Sequence, residues 1–241
     1  MKSTLNDNWT IIESEHYIFH FNANSLAEKN LENIINLQER CFKFICKSLS
    51  VNFQGKINYY LCNSPEEVGI RYGDNEPCNA FASRPNSIYA VVNDELQCIG
   101  FHEDAHIISY QTLGRPDEAF VREGLAMSFD KQYRNINNLA WTNFFILNNK
   151  YIPLNILFNN EEFFKVSDTI TYPIAGAFTE YIIGLYGLDT YKKLYMDGSF
   201  KANLENILNV SLNTLESDFI EYIKGFSIHE GFKKIMASMI N

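Results

Sequence analysis

The sequence has few of the features that mark several large classes of protein. Only six Pro and twelve Gly occur among 241 residues, and no segment concentrates them, so we expect no domains joined by a flexible tether. No apolar run approaches the roughly 20 residues that cross a bilayer, so we expect no membrane span. The five cysteines include no C-x-x-C pair, which excludes a zinc ribbon and a thioredoxin-type motif. We expect them to be small buried hydrophobic residues in a reducing compartment. One or two disulfides remain an open alternative.

Positive charge is also scarce. The 20 Lys and Arg against 29 Asp and Glu give a formal net charge of −9. Because proteins that bind a phosphate backbone need clustered Lys and Arg, we expect no nucleic-acid partner. The N-terminus has no apolar h-region and no small-residue cleavage site. These features predict a cytoplasmic or leaderless soluble protein, and they leave open a secreted mature form whose leader has been removed.

Hydrophobic residues make up 46% of the chain, which is enough to bury a sizeable core. Residue periodicity predicts an α+β fold, in which an N-terminal α/β lobe (1–98) with a small sheet packs on a mainly helical lobe (99–241). In the first lobe we expect a hairpin at 9–12 and 17–21, strands at 57–62 and 87–92, and helices over 25–49 and from 65. In the second lobe we expect helices over 97–113, 117–134, 139–148, 173–186, 190–197 and 212–224.

Residues 102–106 form an H-E-x-x-H motif. On a helix, residues four apart lie one above the other on the same face, so His102 and His106 can reach one metal ion. Glu103 projects beside that ion, where a water molecule would bind, and this position suits a general base.

A catalytic zinc ion needs a third protein ligand and an open fourth position. Glu123, within F-V-R-E-G-L-A at 120–126, is the best candidate because a short Gly/Pro-containing turn joins its helix to the motif helix. The small residues Gly124 and Ala126 would let the two helices press together. Sixteen residues separate His106 from Glu123, a spacing that leaves Glu118 and Asp130 as alternative ligands.

The H-E-x-x-H motif, the turn and the F-V-R-E-G-L-A segment resemble the gluzincin metallopeptidases. This resemblance implies a zincin-like fold, one zinc ion per chain bound by His102, His106 and Glu123, and Glu103 as the catalytic base. It also implies that the sheet has strands above the motif helix and an edge strand that pairs with an extended peptide. Tyr172 is the candidate for the stabilising Tyr of the family, because it precedes Pro173 at a predicted helix start.

The function that follows from the resemblance is zinc-dependent hydrolysis of peptide bonds in a peptide or protein substrate. The G-x-M-E-N motif of the aminopeptidase branch is absent, which favours an endopeptidase. Two alternatives stay open: a non-catalytic metal-binding or regulatory protein with the same fold, and a metal-assisted hydrolase of a non-peptide amide or ester. The sequence leaves the cleavage preference, the oligomeric state and the groups that orient the two imidazoles undetermined.

The other ionisable residues near these motifs are expected to have no role in the site. We expect Asp104 to face solvent or to cap the helix. His16 and His20 alternate along a predicted strand and are expected at the surface, and His229 is expected to have no function.

Overall fold

The computed structural model describes residues 8–240, of which 56% are helical. The expected α+β class is confirmed, with thirteen helices and a small mixed sheet in these residues. The strands are β1 (Thr10–Glu13), β2 (Tyr17–Phe21), β3 (Ile57–Cys62), β4 (Ala80–Ser83), β5 (Ser87–Val91), β6 (Gln132–Tyr133) and β7 (Ile136–Asn137). The helices are α1 (Leu26–Lys29), α2 (Leu31–Leu49), α3 (Pro65–Tyr72), α4 (His102–Thr112), α5 (Ala119–Asp130), α6 (Asn138–Leu147), α7 (Leu154–Leu157), α8 (Asn160–Phe163), α9 (Asp168–Tyr186), α10 (Leu188–Leu194), α11 (Phe200–Leu208), α12 (Leu212–Lys224) and α13 (Glu230–Met239).

The chain divides into two compact units, Met1–Thr112 and Leu113–Asn241. The division into lobes at residue 98 stays a prediction. The expected absence of a leader concerns in part residues 1–7, which lie outside the described residues. Among residues 8–240, no helix combines the length and the apolar character that crossing a bilayer requires.

The first unit is built on a five-stranded sheet with the order β1-β2-β3-β5-β4. The three central strands run parallel, and the two edge strands, β1 and β4, run antiparallel to their neighbours. The predicted hairpin of β1 and β2 is confirmed, as are β3, β5 and the start of α3 at Pro65. The edge strand β4 was not expected, because its four residues carry no alternation of polar and apolar side chains.

Side chains alternate between the two faces of this sheet. On one face the rings of Tyr17, Phe19 and Tyr59 lie against one another, and Phe42 of α2 packs edge-on to Tyr17. All four of these side chains are buried. On the other face His20, Tyr60, Tyr89 and Phe81 form a row of stacked rings that crosses four strands. Aromatic pairs across strands stabilise a sheet beyond the area they bury.

Two predicted helices of the first unit have different bounds in the structure. The segment 25–49 is split at Asn30 into α1 and α2. The predicted helix over 97–113 begins only at His102. The reason is that Gln97 forms a β-bridge with Val92 and the Cys98 N–H donates to the Val91 carbonyl, so these backbone groups extend the sheet instead of starting the helix.

The second unit is centred on the close packing of α5 against α9. A Cβ atom placed on Gly124 would lie 2.8 Å from the Ala175 carbonyl oxygen and 2.5 Å from Thr179 Oγ1. Gly124 therefore permits contact with α9, which corrects the expectation that it would face the motif helix. On α9, Gly176 has a similar role, because a Cβ there would lie 2.8 Å from the Met127 Cβ.

We predict that Gly124→Ala destabilises the protein by about 1–3 kcal/mol, because the added methyl group overlaps the α9 backbone. The matched control is Gly184→Ala on α9, where an added Cβ meets nothing within 4 Å. The control should gain about 0.5–1 kcal/mol from its higher helix propensity. Urea unfolding followed by circular dichroism measures both changes. A Gly124→Ala protein as stable as the wild type would contradict the close α5–α9 contact.

Candidate metal centre

Helix α4 carries the H-E-x-x-H motif from its first residue. The rings of His102 and His106 lie 5.0 Å apart between centroids, with their planes at 83°. His106 is buried, and His102 and Glu103 are partly exposed. The two imidazoles thus lie on one face of the helix, and the His102 ring is accessible to solvent in part.

Tyr110 contacts one of these imidazoles. Its Oη atom lies 3.2 Å from His106 Nδ1, and its ring stacks on the imidazole with 5.5 Å between centroids. When the Nδ1–H donates to this hydroxyl, the lone pair is left on Nε2, which is the arrangement a metal ligand needs. The sequence contains a signal for this contact, since Tyr110 follows His106 by four residues.

Glu123 is the fifth residue of α5 and is partly exposed. His102, His106 and Glu123 each offer one ligand atom, and these atoms all lie within 4.8 Å of one another. In a tetrahedral zinc site with bonds of about 2.0–2.1 Å, ligand atoms are about 3.3 Å apart. Ligand atoms no more than 4.8 Å apart could therefore hold one metal ion.

Neither alternative ligand joins this group among the described residues. Glu118 instead binds the start of α11, where its carboxylate accepts hydrogen bonds from Ser199 Oγ at 2.7 Å and from the Phe200 N–H at 2.9 Å. This acid is buried and satisfies backbone groups that a helix leaves without internal partners. Asp130, the other alternative ligand, is the last residue of α5 and is not a member of the group.

A second group of potential ligands, Glu15, His16 and Glu39, lies in the first unit. Its members are already paired, since His16 Nδ1 lies 2.6 Å from Glu39 Oε2 and Lys43 Nζ lies 2.6 Å from Glu15 Oε2. Although burial opposes the change, hydrogen bonds from His16 and Ser14 lower the pKa of Glu39. Each of these side chains therefore already has a polar partner within the first unit.

Two ionisable side chains differ from their expected environments. His20 is buried and stacks on Tyr60, so its expected surface position is wrong, whereas His16 is partly exposed and stacks on Phe42. Asp104, expected at the solvent or at a helix cap, is completely buried. Burial raises the pKa of the Asp104 carboxyl well above its usual range. His229 caps α13, where its Nδ1 accepts from the Gly231 N–H.

Tyr172 lies within α9, which begins at Asp168 and therefore earlier than expected. The predicted helix start at Pro173 is wrong, because Ser167 caps the helix by accepting the Thr169 N–H. Tyr172 is partly exposed and its ring stacks on Phe163 at 6.3 Å. Its role in stabilising an oxyanion stays a prediction.

Comparison of the chain with models of protein families and with curated proteins gives no match. The interpretation of this site therefore depends on the motif and on the geometry of its side chains.

We predict that the purified protein binds one zinc ion per chain and that Glu123→Ala weakens binding by more than about 100-fold, because two imidazoles alone hold zinc poorly. Titration against a chromophoric chelator measures the affinity, and elemental analysis gives the stoichiometry. Glu118→Gln is the control, since Glu118 is the alternative ligand in sequence, and its zinc affinity should equal that of the wild type. Equal affinities of the Glu123→Ala and wild-type proteins would remove Glu123 from the ligand set.

Proposed function

We propose that this protein is a zinc-dependent metallopeptidase of the gluzincin type, with a zincin-like arrangement of sheet and motif helix. The observation that carries the proposal is the grouping of His102, His106 and Glu123 ligand atoms within 4.8 Å, with Glu103 next to the first ligand in the chain. A helix that carries two histidines by chance gives no reason for a third ligand to meet them.

The donor set fits zinc. Two imidazole nitrogens and one carboxylate oxygen are ligands that zinc accepts at about 2.0–2.2 Å, and three protein ligands leave a fourth position for water or substrate. Magnesium and calcium favour sites built from oxygen ligands alone. With both imidazoles neutral and one carboxylate, a site holding a divalent zinc ion has a net charge of +1, which favours a substrate carbonyl oxygen.

When bound, zinc supplies a Lewis acid that polarises the scissile carbonyl and lowers the pKa of water to about 7. The Glu103 carboxylate accepts a proton from the attacking water and then gives it to the leaving amine nitrogen. The partial exposure of Glu103 at the start of α4 permits both transfers. We assign Tyr172 Oη as the donor to the oxyanion that develops on the carbonyl oxygen.

The position of β4 supports an extended peptide as the substrate. This strand is at the edge of the five-stranded sheet, and α4 contacts it. A peptide that adds to a sheet edge uses its main-chain groups for binding, so many sequences can bind in the same register. This mode of binding engages the middle of a peptide substrate and not its free amino terminus, which favours an endopeptidase.

The test of the proposal is Glu103→Gln. The amide cannot accept the proton, so we expect hydrolysis of a mixed peptide library to fall by about 10²–10⁴-fold, while zinc affinity stays unchanged because Glu103 is not a ligand. Mass spectrometry of the digested library and chelator titration measure the two properties. Glu32→Gln, at an exposed position of α2, is the matched control and should retain full activity.

Three results would contradict the proposal in distinguishable ways. Full activity of the Glu103→Gln protein would remove the assigned base. A wild-type protein that binds zinc, leaves peptides intact and hydrolyses small amides or esters would be a metal-assisted hydrolase of another class. Zinc binding with neither activity would indicate a metal-binding or regulatory protein.

A further inference from the structure

Asp104 lies on the side of α4 opposite the candidate metal ligands. Successive helical residues are turned by about 100°, which puts His102 and His106 about 40° apart on one face and Glu103 about 80° from their midpoint. By the same arithmetic, Asp104 lies about 180° away from the midpoint between the two histidines. Asp104 is completely buried and has no contact with solvent. Its side chain also lies on the opposite side of α4 from the residues that would hold the metal.

Two residues from distant parts of the chain hold the Asp104 carboxyl group. Tyr17 Oη donates to Asp104 Oδ2 at 2.5 Å, and Gln38 Nε2 donates to the same oxygen at 3.0 Å. Gln38 Nε2 also donates to the Gly100 carbonyl oxygen at 3.1 Å, just before α4 begins. Tyr17 and Gln38 are themselves completely buried. The network therefore joins β2 and α2 to both the motif helix and the segment that leads into it.

Apolar packing defines the rotation of α4 less sharply than directional hydrogen bonds do. The other buried residues of this helix include Ala105, Ile107 and Ile108, and the hydrophobic effect that favours their burial is non-directional. Hydrogen bonds in a buried site depend on distance and angle, and their cost when broken is high. A histidine Nε2 lies about 7 Å from the helix axis, so a rotation of about 10° moves it by about 1 Å.

Burying a carboxyl group is expensive compared with burying an apolar side chain of the same size, because its oxygens lose their hydrogen bonds to water. The Asp104 Oδ1 atom has no hydrogen-bond partner in the described residues, which adds to this cost. A role in stability alone would be served better by a leucine. The arrangement is explained if the oxygen that accepts two hydrogen bonds sets the orientation of the helix.

We propose that Asp104, held by Tyr17 and Gln38, is a positioning residue that fixes the rotation of α4 so that His102 and His106 meet one metal ion. The inference rests on the proposed metal function but not on peptide hydrolysis.

The experiment compares metal binding by Asp104→Leu, Asp104→Asn and Tyr17→Phe proteins at 25 °C. The probes are Zn²⁺, titrated against a chromophoric chelator, and Co²⁺, whose visible d–d bands report tetrahedral geometry. Asp104→Leu should bind Zn²⁺ about 10–100-fold more weakly and should lose intensity in the Co²⁺ bands. Asp104→Asn keeps an oxygen that accepts both hydrogen bonds, so its affinity should stay within about 3-fold of the wild type. Tyr17→Phe should fall between these values.

The matched control is Val68→Ala, because Val68 is completely buried on α3 in a cluster with Cys62 and Val91. This variant loses stability through a cavity, and its Zn²⁺ affinity and Co²⁺ bands should not change. Unfolding in urea confirms that each protein is folded under the titration conditions. If Asp104→Leu does not fold, Tyr17→Phe carries the test, since it removes only the hydroxyl group.

Three results would overturn the inference. Wild-type affinity in a folded Asp104→Leu protein, or in Tyr17→Phe when the former does not fold, would show that the network does not position the ligands. An Asp104→Asn protein that binds Zn²⁺ as weakly as Asp104→Leu would assign the loss of affinity to the charge of the side chain instead of to its hydrogen bonds. Absence of Co²⁺ bands in the wild-type protein would overturn the metal centre itself, whereas metal binding without peptide hydrolysis would contradict only the proposed function.

Discussion

The four-residue spacing on α4 is the constraint on which the candidate site depends. Because an α-helix has 3.6 residues per turn, His102, His106 and Tyr110 follow one another along a single face, and Tyr110 is within hydrogen-bond distance of His106. The same geometry directs Asp104 to the opposite face, into the core. One short helix thus has a polar face that can bind a metal and a second polar contact that anchors it to the sheet.

Much of the fold could be predicted because its signals are local. The cap of α3 at Ser64, with Pro65 at the first helical position, is a short-range pattern, and the alternation along β2 and β3 shows which face is buried. The strand that was missed and the helix start that was wrong depend on backbone pairing with another segment. Strand β4 exists because β5 pairs with it, and α4 starts late because the Cys98 N–H bonds to Val91.

The candidate site also has one part that local sequence signals predict and another part that they do not. The motif places His102 and His106 without any knowledge of tertiary structure, since both are on one helix. The environment of Asp104 could not be predicted, because its partners Tyr17 and Gln38 are 87 and 66 residues away in the chain. The contact of Gly124 with α9 is of the same kind, since a small residue permits close approach to a neighbouring helix but does not identify it.

The shortness of β4 limits how tightly a peptide would be held in the proposed function. A four-residue edge, Ala80–Ser83, offers about four main-chain hydrogen bonds to an added strand, each worth about 1 kcal/mol net. Their sum of about 4 kcal/mol corresponds to a dissociation constant near 1 mM. Recognition through this edge would therefore be brief, products would leave rapidly, and any preference for particular sequences would have to come from side-chain contacts beyond the strand.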